Sequence, residues 1–579
     1  MDNPPASRSV TSQENFASSN LERLAWIESH PEVSVLIIGG GINGAGLLRE
    51  LALQGVDALL VEKSDFCSGA SAAGSRLIHG GLRYLENREF RLVREALRER
   101  NLLLSNAPHY VRPLPVVMPL FDRFSGLWSA AASFVGFAAA QPSQRGTFVV
   151  KTGLMLYDWL AGRSSPLPRR RFLSRRQALA TYPHLNPCVR ATARFYDAQV
   201  SHPERLCLEL LLDAESLSPK VRAFNYTRVE GLADGCVLLR DELSGRRLAV
   251  RPRLVVNAAG PWIDQVNARL NRPTRLIGGT KGSHLVLANP ELAAATRGEM
   301  FFFTNRDGRI CLFYSLDGKV LLGTTDIPVE EPEAECTPEE VVYLLDAVRV
   351  VFPSISVSAS EIVFRFCGVR PLPFTEGLAP GRISRDHRLP FISPSQTSPF
   401  PIFSMVGGKW TTFRAFAEQT ATRILTELGR PCRHNSRGLA IGGGKQYPAT
   451  PMEQKAWLAA LSERTGVARD RLSELFERYG TRAAEAANYI AGGVDRPLDS
   501  SPRYSLREIE FLCLAEKVQT LEDLILRRTL LGLHGEASLT VISEVAAIAG
   551  RVLGWPAGRI EDEITRTAGR LRALHGCAV

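Results

Sequence analysis

The chain's chemistry is concentrated first in a run of glycines. Gly39-Gly40-Gly41-Ile42-Asn43-Gly44 contains G-x-G-x-x-G, and Glu62 lies eighteen positions after Gly44. Glycines at this spacing give a tight turn, let a pyrophosphate approach the backbone, and let the next helix pack close to the preceding strand. The helix amino terminus then offers unpaired N–H groups and a positive dipole end to the phosphates. A carboxylate at Glu62 accepts hydrogen bonds from ribose hydroxyls and disfavours a 2′-phosphate. This turn predicts a dinucleotide without selecting which one. A second pair, Gly407-Gly408, stands before a helical stretch from Thr411 to Leu428. Its N–H groups suit a ligand edge where negative charge gathers.

These residues need elements to hold them. Ser34 to Ile38 (SVLII) is an apolar, β-branched run closed by glycines, which predicts a buried parallel strand. Ile42 to Gln54 has helical periodicity and stops at Gly55, and Asp57 to Val61 is a second strand, so the unit is βαβ. A charged amphipathic helix is predicted from Phe90 to Leu104, broken off by Pro108, Pro113, Pro115 and Pro119. Further strands are expected over 248–257, 321–326 and 401–406. The composition changes after Gly442-Gly443-Gly444, and Pro451 to the end reads as a separate helical domain. Residues 1–18 read as a flexible lead, with a short helix over 21–27.

At 579 residues the chain has room for two to four domains, and its 45% hydrophobic and 22% charged content is that of a globular protein. A net charge of +10 and a pI near 9.2 favour anionic partners. No basic run is interleaved with aromatics, so nucleic acid is not an expected partner. The ten cysteines form no C-x-x-C pair and no zinc pattern, so free thiols in a reducing compartment, and no metal, are expected. No secretory signal is visible in the first thirty residues, and no stretch of about twenty uncharged apolar residues is present to span a bilayer. Leu127 to Ala140 (LWSAAASFVGFAAA), flanked by Arg112, Arg123 and Arg145, reads either as a buried helix or as a segment dipping into a membrane face.

Beyond Glu62 the chain reads Ser71-Ala-Ala-Gly-Ser75-Arg76-Leu77-Ile-His79-Gly-Gly-Leu-Arg83-Tyr84-Leu-Glu86. This resembles a segment of the FAD-dependent glycerol-3-phosphate dehydrogenases, which are D-amino-acid-oxidase-like flavoproteins. The resemblance continues, in the family's order, through Asn257-Ala-Ala-Gly260-Pro-Trp262, Lys281-Gly-Ser-His284, Gly323-Thr-Thr-Asp326, Gly368-Val-Arg370-Pro-Leu372, Ser384-Arg385-Asp386 and Gly407-Gly408-Lys409-Trp-Thr411-Thr412-Phe-Arg414. It covers roughly residues 30 to 430, and the helical tail resembles the family's carboxy-terminal domain. There are departures. Arg76 stands where the family has Lys and Gly74-Ser75 where it has Ser-Ser, and where relatives carry Asp-Asp-Ala-Arg shortly after a Tyr-containing strand this chain reads Tyr196-Asp-Ala-Gln-Val-Ser201-His202-Pro203-Glu204-Arg205. The last leaves a related polyol phosphate, such as an erythritol phosphate, open as substrate.

The resemblance implies an α/β fold: a Rossmann-like FAD-binding domain (34–110, 200–275 and 365–430), an inserted α+β substrate or cap domain with a mixed, largely antiparallel sheet (111–199 and 276–364), and an all-α domain (445–579), after an amino-terminal extension (1–33). It implies oxidation of sn-glycerol 3-phosphate to dihydroxyacetone phosphate, with electrons passing to a membrane quinone. A glycerol-3-phosphate oxidase that releases peroxide is the alternative. A cytoplasmic protein lying on the membrane face, and a homodimer, are the implied setting. FAD contacts are expected from Gly39, Gly41, Asn43, Gly44, Glu62 and Lys63, from Ser71, Ser75, Leu77 and His79, and from Gly260, Gly408, Lys409, Thr411 and Thr412. A dianionic phosphate calls for forked, permanently charged donors, and Arg83, Arg370 and Arg385 lie in matching blocks, with Tyr84 and Lys409 beside them. Hydride removal from a secondary alcohol also needs a base near neutral pH. His79 and His284 are the candidates, and arginine-assisted proton removal at Arg370 is the third reading.

Overall fold

The computed structural model describes residues 19–85, 89–122, 147–162, 166–376 and 383–579. The Leu127 to Ala140 segment and the lead over 1–18 lie outside them. Among the described residues, one sheet runs in the order Phe391–Ile392, Ile402–Ser404, Arg247–Asn257, Glu32–Ile38, Ala58–Val61, Val221–Phe224. Its central pairings are parallel, with Ile38 opposite Val61 on one side and Asn257 on the other. The apolar run predicts this position: Val35, Leu36 and Ile37 are wholly buried, with Val35 and Ile37 facing helices and Leu36 facing a cluster that includes Val229, Val237 and Leu239. The helix Ile42–Leu53 packs against Pro203–Leu217 and Phe413–Glu427. It stops where Gly55 takes a positive φ of 64°. Strand ends and helix starts therefore converge on Gly39–Gly44 and on Gly407–Gly408.

The second sheet has ten strands among the described residues and is mainly antiparallel. Its longest pair is Ile277–Leu287 with Ile362–Pro373, in a register that sets Thr280 opposite Arg370 and His284 opposite Phe366. Two glycines on this face make room for the larger side chains. A Cβ on Gly282 would stand 2.0 Å from the Arg370 guanidinium, and one on Gly323 would stand 2.2 Å from the His284 ring. Strands Leu77–Ile78 and Ile362–Pro373 belong to this sheet. The domain limit placed at 365 thus falls inside a strand, because strand pairing, invisible in local pattern, decides membership.

One other expectation changes. Residues 19–33 are part of the packed fold and not a free extension. The helix Ser19–Ser29 buries Leu24 and Ile27, while Arg23 pairs with buried Asp241 and donates to the Asn225 carbonyl at 2.9 Å. The helical tail is the expected carboxy-terminal all-α domain, and its core is continuous with that of the second sheet. Leu114, Val116, Phe364 and Phe366 of the second sheet share one apolar cluster with Leu475, Ile509, Leu521 and Ile542 of the tail. Its helices run from Pro451–Thr465 to Ala557–His575. No described helix is long and apolar enough to cross a membrane.

Candidate active site

A cavity of about 820 Å³ opens along the carboxyl ends of the parallel strands and reaches into the second sheet. At one end lies the glycine turn. A Cβ on Gly44 would stand 2.0 Å from the Gly39 carbonyl oxygen, and one on Gly39 would meet the Ala258 carbonyl at 2.6 Å. Neither position has room for a side chain, so the helix start and strand end sit as close as a pyrophosphate cradle requires. Ser71 Oγ accepts from the Ile42 N–H at 3.1 Å. Glu62 accepts from the N–H groups of Gly40 at 2.7 Å and Ser64 at 2.9 Å, and burial raises its carboxyl above the ordinary range. A carboxylate has about four lone-pair sites, so two backbone bonds leave capacity for a ribose. Lys63 lies over the Trp262 ring at 4.0 Å and 3.5 Å from Glu333, bridging the rim.

At the other end stand His79, Tyr84, Arg370, Arg385, Gly408 and Lys409. Asn43 Nδ2 donates to the Gly407 carbonyl at 3.3 Å, tying the two glycine turns together. A Cβ on Gly260, which lines the cavity beside Ala258 and Ala259, would enter open space. The Arg370 guanidinium donates to Asp326 Oδ1 at 3.1 Å, Thr324 Oγ1 at 2.9 Å and the Thr325 carbonyl at 3.1 Å. Asp326 also lies 3.7 Å from Arg385. It therefore holds both forks on the wall, a role that the block containing it did not disclose. Tyr84 covers the Lys409 amine, whose Nζ lies 4.0 Å from the ring centre and makes no hydrogen bond among the described residues. Burial pulls this amine down to about 7 against the pull of Glu89, Glu95 and Asp386, with Arg385 assisting.

His79 is held by its backbone N–H, which donates to Thr411 Oγ1 at 3.0 Å. Burial lowers its imidazole to about 4, against Asp197 and with help from Lys409 and Arg385, so the ring is neutral at pH 7. His284 is placed differently. It is buried and stacks on Phe366 with ring centres 4.9 Å apart, and its Nε2 meets Ser75 Oγ at 2.7 Å. Ser75 lines the cavity and His284 stands behind it. Leu77 also lines the wall, while Thr411 and Thr412 are buried beneath it. Arg83 belongs to the short turn Leu82–Leu85, and its side chain is outside the described residues. The departures from the family pattern meet each other: Arg76 pairs with Glu204 at 2.9 Å and donates to the Ser201 carbonyl at 2.6 Å.

Sequence reasoning missed one wall. Tyr226, Thr227, Arg228 and Val229 line the cavity beyond Glu62, as do Thr520, Glu522, Arg527, Arg566 and Arg570 of the helical tail. No motif marks them, because they come together only through tertiary packing.

A close-packed glycine turn, a ribose-ready carboxylate and a cationic far end in one continuous cavity are the marks of a dinucleotide-dependent redox enzyme, and these residues fit FAD. Residues 34–423 match the family described as FAD dependent oxidoreductase, and residues 435–560 match the C-terminal domain of alpha-glycerophosphate oxidase. A glycerol-3-phosphate dehydrogenase of Synechocystis is 32% identical over 560 residues, covering 92% of this chain and 95% of that protein. One from Pseudomonas aeruginosa is 32% identical over 511 residues, covering 86% and 92%. The fold matches the glycerol-3-phosphate dehydrogenase from Bacillus halodurans complexed with FAD, at a TM-score of 0.72 and 22% identity over 96% of this chain and 98% of that one. The chain belongs to the FAD-dependent glycerol-3-phosphate dehydrogenase family. Its cofactor is FAD.

Proposed function

We propose that this protein oxidises sn-glycerol 3-phosphate to dihydroxyacetone phosphate at the His79–Lys409 end of the cavity, and passes the electrons to a membrane quinone while resting on the membrane face. The observation that carries this reading is the pair Arg370 and Arg385, held by one carboxylate on the wall that also carries His79 and Lys409. Two forked, permanently charged donors suit the phosphate. The relatives' names point to the same substrate.

FAD would be held by Gly39 to Gly44, Glu62, Ser71 and Gly408, and when bound it supplies a two-electron hydride acceptor. The protein's own part is positioning and proton transfer. Arg370 and Arg385 fix the phosphate, and with it the secondary alcohol. The hydroxyl proton passes to a base that is uncharged before reaction, and the wall offers two, the His79 imidazole and the Lys409 amine. Asn43 ties the Gly407–Gly408 turn to the first glycine turn, and all three residues line the cavity, where N–H donors would stabilise gathering negative charge.

Anaerobic titration of the purified yellow protein with glycerol 3-phosphate tests this. Bleaching of the flavin absorbance is expected, followed by re-oxidation with a soluble quinone. Bleaching by erythritol 4-phosphate but not by glycerol 3-phosphate would replace the substrate. Rapid re-oxidation by oxygen with stoichiometric peroxide, and none by quinone, would replace the acceptor.

A further inference from the structure

We propose that the helical tail is part of the cofactor site, and that Arg566 and Arg570 on its last helix close the cavity over the adenosine half of FAD. The inference rests on FAD as cofactor and not on the identity of the substrate.

The cavity runs in one direction from the glycine turn towards Lys409, and in the other past Glu62 to a wall shared by two parts of the chain. One side of that wall is the strand Thr227–Ala233 with Tyr226 before it. The other is Thr520, Glu522 and Arg527, with Arg566 and Arg570 on Ala557–His575. With the pyrophosphate cradle at Gly39–Gly44 and the ribose carboxylate at Glu62, this is where a dinucleotide's adenine comes to lie.

The tail is fixed here by a buried polar seam. The Tyr226 hydroxyl donates to Asp523 at 2.6 Å and meets Thr520 Oγ1 at 3.0 Å. Asp65, three residues past Glu62, accepts from Arg527 at 2.5 Å and from Arg528 at 2.6 and 2.9 Å. Asn225 Nδ2 spans the same seam, donating to Asp65 at 3.0 Å and to the Lys517 carbonyl at 3.0 Å. The loop that carries the ribose carboxylate is thus anchored to the tail.

Arg566 and Arg570 have a different setting from these seam residues. Each side chain is about half exposed, at 51% and 50%, and among the described residues each pairs with one carboxylate, Glu563 at 2.6 Å and Glu522 at 3.4 Å. Neither is needed to hold the tail in place. Both residues line the cavity, and a guanidinium offers what adenosine asks for: a flat cation for a purine face, and donors for ring nitrogens and the nearby phosphates. Arg228 lines the opposite side, with its guanidinium 3.1 Å from Glu242.

The test is equilibrium binding of FAD and of ADP to the deflavinated full-length protein, comparing wild type with Arg566→Gln, Arg570→Gln and the double variant. ADP carries the adenosine half without the flavin. Both ligands are expected to bind at least tenfold more weakly to the double variant, while the apoprotein's melting temperature stays unchanged. Affinities for both within twofold of wild type would overturn the proposal. So would a loss for FAD alone, which would place the contact away from the adenosine. Glycerol 3-phosphate plays no part in the measurement, so the substrate reading stands or falls separately.

Discussion

Lys409 and His79 share a wall but make different predictions about pH. His79 is depressed to about 4 by burial, so it is already neutral across the range in which the protein is assayed. Lys409 is depressed to about 7 by the same cause, so its amine becomes a competent base only as the pH rises through that value. A flavin-reduction rate governed by Lys409 therefore climbs through about pH 7, and one governed by His79 is flat there. The rising limb is the expected profile, because a buried amine that feels Arg385 and has no hydrogen-bond partner among the described residues is driven to take a proton once a dianionic phosphate arrives. Stopped-flow reduction across pH 5.5 to 9 should lose the limb in Lys409→Met, with a fall of about 10²–10⁴-fold at high pH. A limb that survived in that variant would return the role to His79. At Asp326 a Leu would remove the carboxylate that holds Arg370 and Arg385. There the expected change is a higher KM for glycerol 3-phosphate with FAD affinity intact, read from steady-state kinetics and flavin fluorescence.

Among the elements, the strand–glycine–helix unit decides whether a cofactor binds at all. Gly44→Ala would place a methyl 2.0 Å from the Gly39 carbonyl, a backbone atom that cannot swing aside. The helix must then retreat from the turn, and the variant is expected to purify colourless with FAD affinity reduced at least a hundredfold. A normal yellow protein would show that the turn is more pliant than this packing implies. This unit was legible in the sequence, since Ser34 to Ile38, the glycines and Glu62 carry their signal within thirty residues. Arg370 and Arg385 could be named because their blocks resemble a known family. The second sheet was not legible to the same degree. Leu77–Ile78 and Ile362–Pro373 look like parts of the first domain until their partners are known, and those partners are Gln199 and Leu287. His284 was named as a candidate participant because its block is distinctive, but strand register puts it behind Ser75. Thr227 and Arg570 carry no local signal, and nothing in a one-dimensional pattern brings residues 343 positions apart to one wall.

Across the whole molecule, the contact between the helical tail and the cofactor domain is polar and buried. Burial alone would raise the Asp65 carboxyl, but Arg528 and Arg527 hold it well below the usual carboxylate range. Both arginines are themselves buried, at 3% and 7% exposure. Replacing such a group on one side leaves two desolvated cations short of a partner, which typically costs about 3–5 kcal/mol. Asp65→Asn is therefore expected to lower the melting temperature markedly and to expose the tail to protease, whereas the half-exposed Arg566 and Arg570 variants should do neither. The pH dependence follows from the sign of the shift. A carboxyl depressed in the folded state stabilises the fold fully above its unfolded pKa of about 3.9, and loses that contribution as the pH falls through its folded value. The gap in melting temperature between wild type and Asp65→Asn should thus be the same at pH 7 and pH 5. A gap that closed by pH 5 would mean that burial outweighs the two arginines and raises the Asp65 carboxyl above the ordinary range in the folded protein.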